Sequence, residues 1–375
     1  MRGRSSMESR VSSRGTVRLV ELDALRGVAI TAVVGLHTSW IYLQGTLAGS
    51  VERAVLAAVQ IACGIGVPLF LTLSAAGLAT RHGSPFGSFA CYIGFLGDRV
   101  RRLVPAYVAW SLLSLMLSSP AALARPGRVL DVLVNGSADV QFYFVPLIFQ
   151  LYILWPLIRS LDARIPGDRA AAMFLIVAGA GINIAVWSLA GPYMLARSVW
   201  MQLPMWIAYP ALGLGLGRLG LLRSHPPVAL RAVAVAGGIL VFAFAANFGE
   251  FMQSGATATS TFDLAVALMI FQPVALLLAI AAIVFLSLCA TRIGHGAGTR
   301  IAALLGHHSY GIFLCHMLVL HVIVRRVLPE PEAASGAALA FRCLVAWSGC
   351  LCVSVGVIAA LSRIRWIAPL VTNVR

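Results

Sequence analysis

Residues 18–42 read RLVELDALRGVAITAVVGLHTSWIY. From Asp23 to Tyr42 the segment is long enough to cross a bilayer as a helix, which takes about 20 residues. Asp23 and Arg26 stand at its start and His37 lies well inside it. At about 100° per residue, the step from Arg26 to His37 leaves an offset of only about 20°, and that from Asp23 to His37 about 40°. One face of one helix therefore carries an acid and an arginine near one end, with an imidazole roughly 16 Å further along. Ionisable groups inside a membrane helix are costly and turn toward a cavity or a partner.

The rest of the chain agrees with a membrane setting. Of its 375 residues 60% are hydrophobic and only 11% charged, with a mean hydropathy of +0.90. That composition excludes an ordinary soluble domain. The net charge of +15 would suggest nucleic acid in a soluble chain. Here arginines in cytoplasmic loops account for it, and no nucleic-acid partner is expected. All 28 basic residues are arginine, which excludes Schiff-base chemistry and a P-loop lysine. The seven cysteines form no CxxC pair, so neither a zinc site nor a disulfide framework is indicated. Residues 1–18 are polar and Arg-rich and read as a disordered cytoplasmic tail rather than a cleavable signal.

Apolar runs follow at about 22–43, 54–80, 102–119, 140–158, 170–190, 200–218, 230–248, 264–289, 302–324 and 339–362. They predict an all-α, polytopic integral membrane protein with about ten transmembrane helices in one bundle. The membrane domain spans 19–365, and 366–375 form a second cytoplasmic tail. With both termini inside, arginines in inner segments outnumber those in outer ones about three to one. The expected location is the plasma (inner) membrane. The loop at about 81–101 is expected to lie partly along the membrane surface.

A second constellation is Asp98-Arg99-Val100-Arg101-Arg102-Leu103-Val104-Pro105-Ala106-Tyr107, where an inner loop meets the third predicted helix. Arg99 and Arg102 share a face if the segment is helical, and Arg101 points elsewhere. Pro105 is expected in the helix's first turn. Two forked guanidiniums side by side suit phosphate oxygens.

These residues resemble the membrane acyltransferases of the acyltransferase-3 type, which include O-acetyltransferases of O-antigens, exopolysaccharides and related glycans. The family's LDxLRG opening and following histidine match Leu22-Asp23-Ala24-Leu25-Arg26-Gly27 and His37. Its R-x-x-R motif matches Arg99 and Arg102. Tyr143-Phe144-Val145-Pro146 with Gln150-Leu151-Tyr152 is similar to its fourth-helix segment, and Ser309-Tyr310-Gly311-Ile312-Phe313 with His316 to its late S-Y-G-I-Y-x-x-H segment. Two departures stand out. The family's LFFxLSGF reads Leu69-Phe70-Leu71-Thr72-Leu73-Ser74-Ala75-Ala76-Gly77 here, and Gln150 replaces a frequent glutamate.

The resemblance implies an O-acyltransferase that takes an acyl group, acetyl foremost, from acetyl-CoA or another acyl-CoA to a hydroxyl of a glycan or lipid-linked glycan, among membrane lipids. His37, Arg26 and Asp23 are the implied catalytic set. Arg99, Arg102 and Arg26 would meet the donor's phosphates, and Gln150, Tyr152, Tyr310 and His316 the substrate. Imidazole can take a hydroxyl proton near neutral pH or itself accept an acyl group, and sequence does not separate these routes. Ser309 and His316 are seven apart and share a face. His307, His308, His316 and His321 do not share one face and have no carboxylate beside them, so a metal is not expected. The rival reading is a proton-coupled transporter with Asp23, Arg26 and His37 as its relay. It lacks the repeat with broken helices that such carriers show.

Overall fold

The computed structural model describes residues 20–46, 50–81, 87–190, 201–219, 230–253, 273–290, 296–328, 336–365 and 367–368. The two predicted tails lie outside these residues, apart from 367–368. Among the described residues there is helix and no strand.

Helix α1, Val20–Gln44, opens with Glu21 and Asp23 in its first turn, where carboxylates complement the helix dipole. Apart from the stripe of Asp23, Arg26 and His37 it carries apolar residues on every side, the mark of a helix with no solvent-facing side, and 72% of its apolar window is buried. The outermost spans, at 168–189 and 338–362, bury only 22%. Helices from early and late in the chain pack around α1. Its hydroxyls are satisfied internally: Thr31, Thr38 and Ser39 donate to the carbonyls of Gly27, Val34 and Leu36.

The second predicted helix is broken in two. Helix α2, Val51–Cys63, starts on Ser50, whose side chain accepts from the Arg53 N–H, and stops at Gly64. Helix α3, Gly66–Arg81, follows. Two glycines around one residue, with Pro68 two positions beyond the second, weaken the helix there. Helix α4, Phe89–Ser118, is 30 residues long and capped by Ser88. It takes in much of what the sequence predicts as a surface loop. Pro105 therefore lies inside the helix, not in its first turn.

Short helices α5, Pro120–Leu123, and α6, Pro126–Asn135, lead to a 3-10 turn at Val140–Tyr143, which runs into α7, Phe144–Ala163. Helix α8, Asp168–Ala190, comes next. The predicted span at 200–218 is a 3-10 turn at Leu203–Trp206 followed by α9, Ala208–Arg218, only 11 residues. Helix α9 packs closely on α3 and α8: a Cβ on Gly213 would overlap the Thr72 carbonyl, and one on Gly215 would crowd Ile176. Helices α10, Leu230–Gln253, and α11, Pro273–Ala290, follow; residues 264–272 of the eighth predicted run lie outside the described residues.

The ninth predicted helix is also two. Helix α12, Ala297–His307, ends at His308, and α13, Ser309–Val322, starts at once. Helix α14 is Gly336–Ser362. Helix forms in each of the ten predicted segments, and among the described residues eight spans are long and apolar enough to cross a membrane.

Candidate active site

Helices α1 and α12 cross with their backbones nearly touching. A Cβ on Gly27 would overlap the Ala302 carbonyl, and one on Gly306 the Asp23 carbonyl. Asp23 meets Gly306 and Gly27 meets Ala302, so the helices run antiparallel. This crossing fixes the first two turns of α1 as one wall of a cavity of about 440 Å3, within the size range of small-molecule sites.

Arg26, Arg99 and Arg102 line that cavity together with Asp23, so three guanidiniums face one carboxylate. Asp23 is 5% exposed and pairs with Arg26 Nη1 at 3.0 Å. Arg99 stacks over Phe95 at 4.6 Å and over Tyr152 at 5.5 Å from the ring centres, which orients a long side chain by cation–π attraction. Arg101 does not line the cavity. The helical spacing of 99, 101 and 102 separates them, because α4 begins well before these residues. Tyr152 and Tyr310 line the wall, and the Tyr310 hydroxyl donates to the Leu103 carbonyl at 2.7 Å, tying α13 to α4.

At the deep end three aromatic rings meet. Phe70 and Phe144 lie 6.0 Å apart, and Phe144 and Phe313 5.2 Å. Behind Phe313, at 5.9 Å, stands the ring of His316. Its Nε2 is 3.2 Å from His37 Nδ1. The two imidazoles, 279 residues apart in sequence, are 5% and 0% exposed and do not line the cavity.

Hydrogen bonding to the backbone fixes how this pair is protonated when neutral. His316 Nδ1 lies 2.8 Å from the Phe313 carbonyl, and His37 Nδ1 lies 2.9 Å from the Val33 carbonyl. A carbonyl oxygen only accepts, so each Nδ1 carries the hydrogen. His316 Nε2 then accepts a share of the His37 Nδ1–H, and His37 Nε2 holds a lone pair. Such an imidazole can act as a base or as a nucleophile.

The other sequence-derived candidates fall elsewhere. Gln150 does not line the cavity. Its carboxamide clamps a turn, Nε2 donating to the Met201 carbonyl at 3.2 Å and Oε1 accepting from the Leu203 N–H at 2.8 Å. Ser309 lines the cavity, but both nitrogens of His316 are engaged with Phe313 and His37. Not foreseen was Asp162, 1% exposed, which pairs with Arg159 and with Arg218. It ties the end of α7 to the end of α9 beside a second cavity. The nearby arginines and aspartates were legible in sequence, but not that one carboxylate joins two helices.

A family model described as an acyltransferase domain matches residues 19–362, nearly the whole chain. No curated protein and no solved structure matches it.

Proposed function

The chain belongs to the acyltransferase-3 family, and we propose that this membrane acyltransferase moves an acetyl group from acetyl-CoA to a hydroxyl of a glycan or lipid-linked glycan. The observation that carries this reading is the buried His37–His316 pair standing directly behind a cavity rich in arginine. A CoA thioester has the matching shape: an anionic, phosphate-bearing head and a long thin arm. Arg99, Arg102 and Arg26 meet the phosphates, with Asp23 keeping Arg26 in place. The arm runs down the cavity past Phe70, Phe144 and Phe313 toward the histidines.

His37 then takes the proton of the acceptor hydroxyl on Nε2. Its Nδ1–H, held by the Val33 carbonyl and by His316 Nε2, keeps the ring oriented and shares the charge that develops. The acceptor oxygen attacks the thioester carbonyl carbon, and the C–S bond breaks to release CoA.

Membrane vesicles from the cell that makes the protein contain its native acceptor. Vesicles supplied with labelled acetyl-CoA should put label into envelope glycan, and vesicles lacking the protein should not. Equal labelling of the two would sink the reading.

A further inference from the structure

Gln141 is 1% exposed, and neither its amide nitrogen nor its amide oxygen has a hydrogen-bond partner. A buried, unsatisfied carboxamide costs folding free energy, so its position matters. It sits in the 3-10 turn Val140–Tyr143, which packs on α13. In a 3-10 turn side chains three apart eclipse, so the turn puts Gln141 on the same side as Phe144, the first residue of α7.

Helices α7 and α13 run past each other in opposite directions. Tyr152 sits with Arg99 near the cavity mouth, while Phe144, eight residues earlier, meets Phe313 at the deep end. On α13, Tyr310 reaches Leu103 on the mouth side, and His316 lies beyond Phe313. One further step of three residues from the Phe144–Phe313 contact leads to Gln141 on one chain and His316 on the other. The step is about 6 Å along the 3-10 turn and about 4.5 Å along α13. Gln141, like the two histidines, stands behind the cavity and not on its wall, and the register brings its carboxamide, with both ends unmatched, to the level of the histidine pair.

We propose that Gln141 is a catalytic residue of the transfer reaction, its Nε2–H donating to the thioester carbonyl oxygen. This rests on the function proposed above. The acceptor oxygen forms a bond to the carbonyl carbon as its proton passes to His37 Nε2. The carbonyl π pair moves onto oxygen, giving an oxyanion that Gln141 holds. When the pair returns, the C–S bond breaks, and the departing sulfur takes the proton from His37. Charge develops on that oxygen only during reaction, so a preplaced donor acts on the rate and not on donor binding.

The test uses the same vesicles and labelled acetyl-CoA, with protein level and melting temperature as folding controls. Gln141→Leu fills the space without a donor and should lower the maximal rate about 100- to 1000-fold. Binding of CoA by the purified full-length protein should stay within about twofold of wild type, the pattern of an interaction made only in the transition state. Gln141→His, which keeps an N–H donor, should recover part of the rate. If well-folded Gln141→Leu transfers within about threefold of wild type while His37→Ala is inactive, the role given to Gln141 is wrong. The same follows if Gln141→Leu loses CoA binding in step with rate. If His37→Ala also transfers normally, it is the proposed function that fails.

Discussion

An imidazole in an apolar bundle does useful chemistry only if its surroundings fix which nitrogen carries the proton. Two backbone carbonyls do this for His37 and His316, and the result is directional: His37 donates and His316 accepts. His37→Ala should therefore lower labelled-acetyl transfer by about 100- to 10,000-fold, with CoA binding kept. His316→Ala should cost less, and His316→Gln should recover part of the loss, because a carboxamide oxygen can still accept from His37 Nδ1–H. A glutamine variant no better than the alanine one would exclude that acceptor role. The arginines allow a separate test by calorimetry with CoA. Arg99→Ala and Arg102→Ala should each weaken binding about tenfold, the scale of one charge-assisted hydrogen bond. Arg101→Ala should do much less, and equal losses at all three would indicate a nonspecific basic surface. Helical spacing in the sequence is enough to put Arg26 and His37 on one side of α1 and to set Arg101 apart, but not to show that Arg26 lines the cavity while His37 stands behind it. The same arithmetic is silent on the contact of His37 with His316, because it works within one helix and these belong to two. Gln150 drew attention as part of a motif, yet its amide is taken up by the backbone at Met201 and Leu203.

At the level of the helices, the crossing of α1 and α12 holds the cavity wall in place. It depends on two glycines, each facing a backbone carbonyl rather than a side chain that can swing aside. Gly306→Val should force the helices apart and lower stability by about 1–3 kcal/mol or more, read as a lower melting temperature in detergent. Gly298 lies on the same helix with nothing near the position of a Cβ, so Gly298→Ala should leave the melting temperature unchanged or raise it. A Gly306→Val protein that melts with wild type would mean that the crossing is looser than described. Hydropathy alone located α12 only as part of a longer apolar run, since a one-residue break at His308 leaves the apolar pattern intact. It also missed the first three turns of α4, because Asp98, Arg99, Arg101 and Arg102 interrupt the apolar pattern between Phe89–Leu96 and the rest of the helix. The break between α2 and α3 was written in Gly64, Gly66 and Pro68, but an average over some twenty residues passes over it.

For the whole molecule, alternation of the spans sets which ends share a side. Helix α1 leads across, α2 with α3 returns, α4 crosses again and α7 returns. Residue 163 therefore lies on the side where α1 starts, and residue 124 on the opposite one. The arginine-lined cavity opens on the first of these sides, since Asp23 and Arg26 stand in the first two turns of α1 and Arg99 and Arg102 in the first half of α4. The number of apolar runs and the bias of the arginines were both readable in the sequence, because a bilayer imposes them on any chain that crosses it. The proposed use of cytoplasmic acyl-CoA would require the mouth to face the cytoplasm, and this makes orientation a test of function as well as of topology. In a cysteine-free background, Ala163→Cys should react with an impermeant thiol reagent only from the cytoplasmic side, and Ala124→Cys only from outside. Both positions are exposed, so poor access does not explain a failure to label. Labelling of residue 163 from outside would turn the arginines away from the cytoplasm, and a cytoplasmic CoA thioester would then have no path to them.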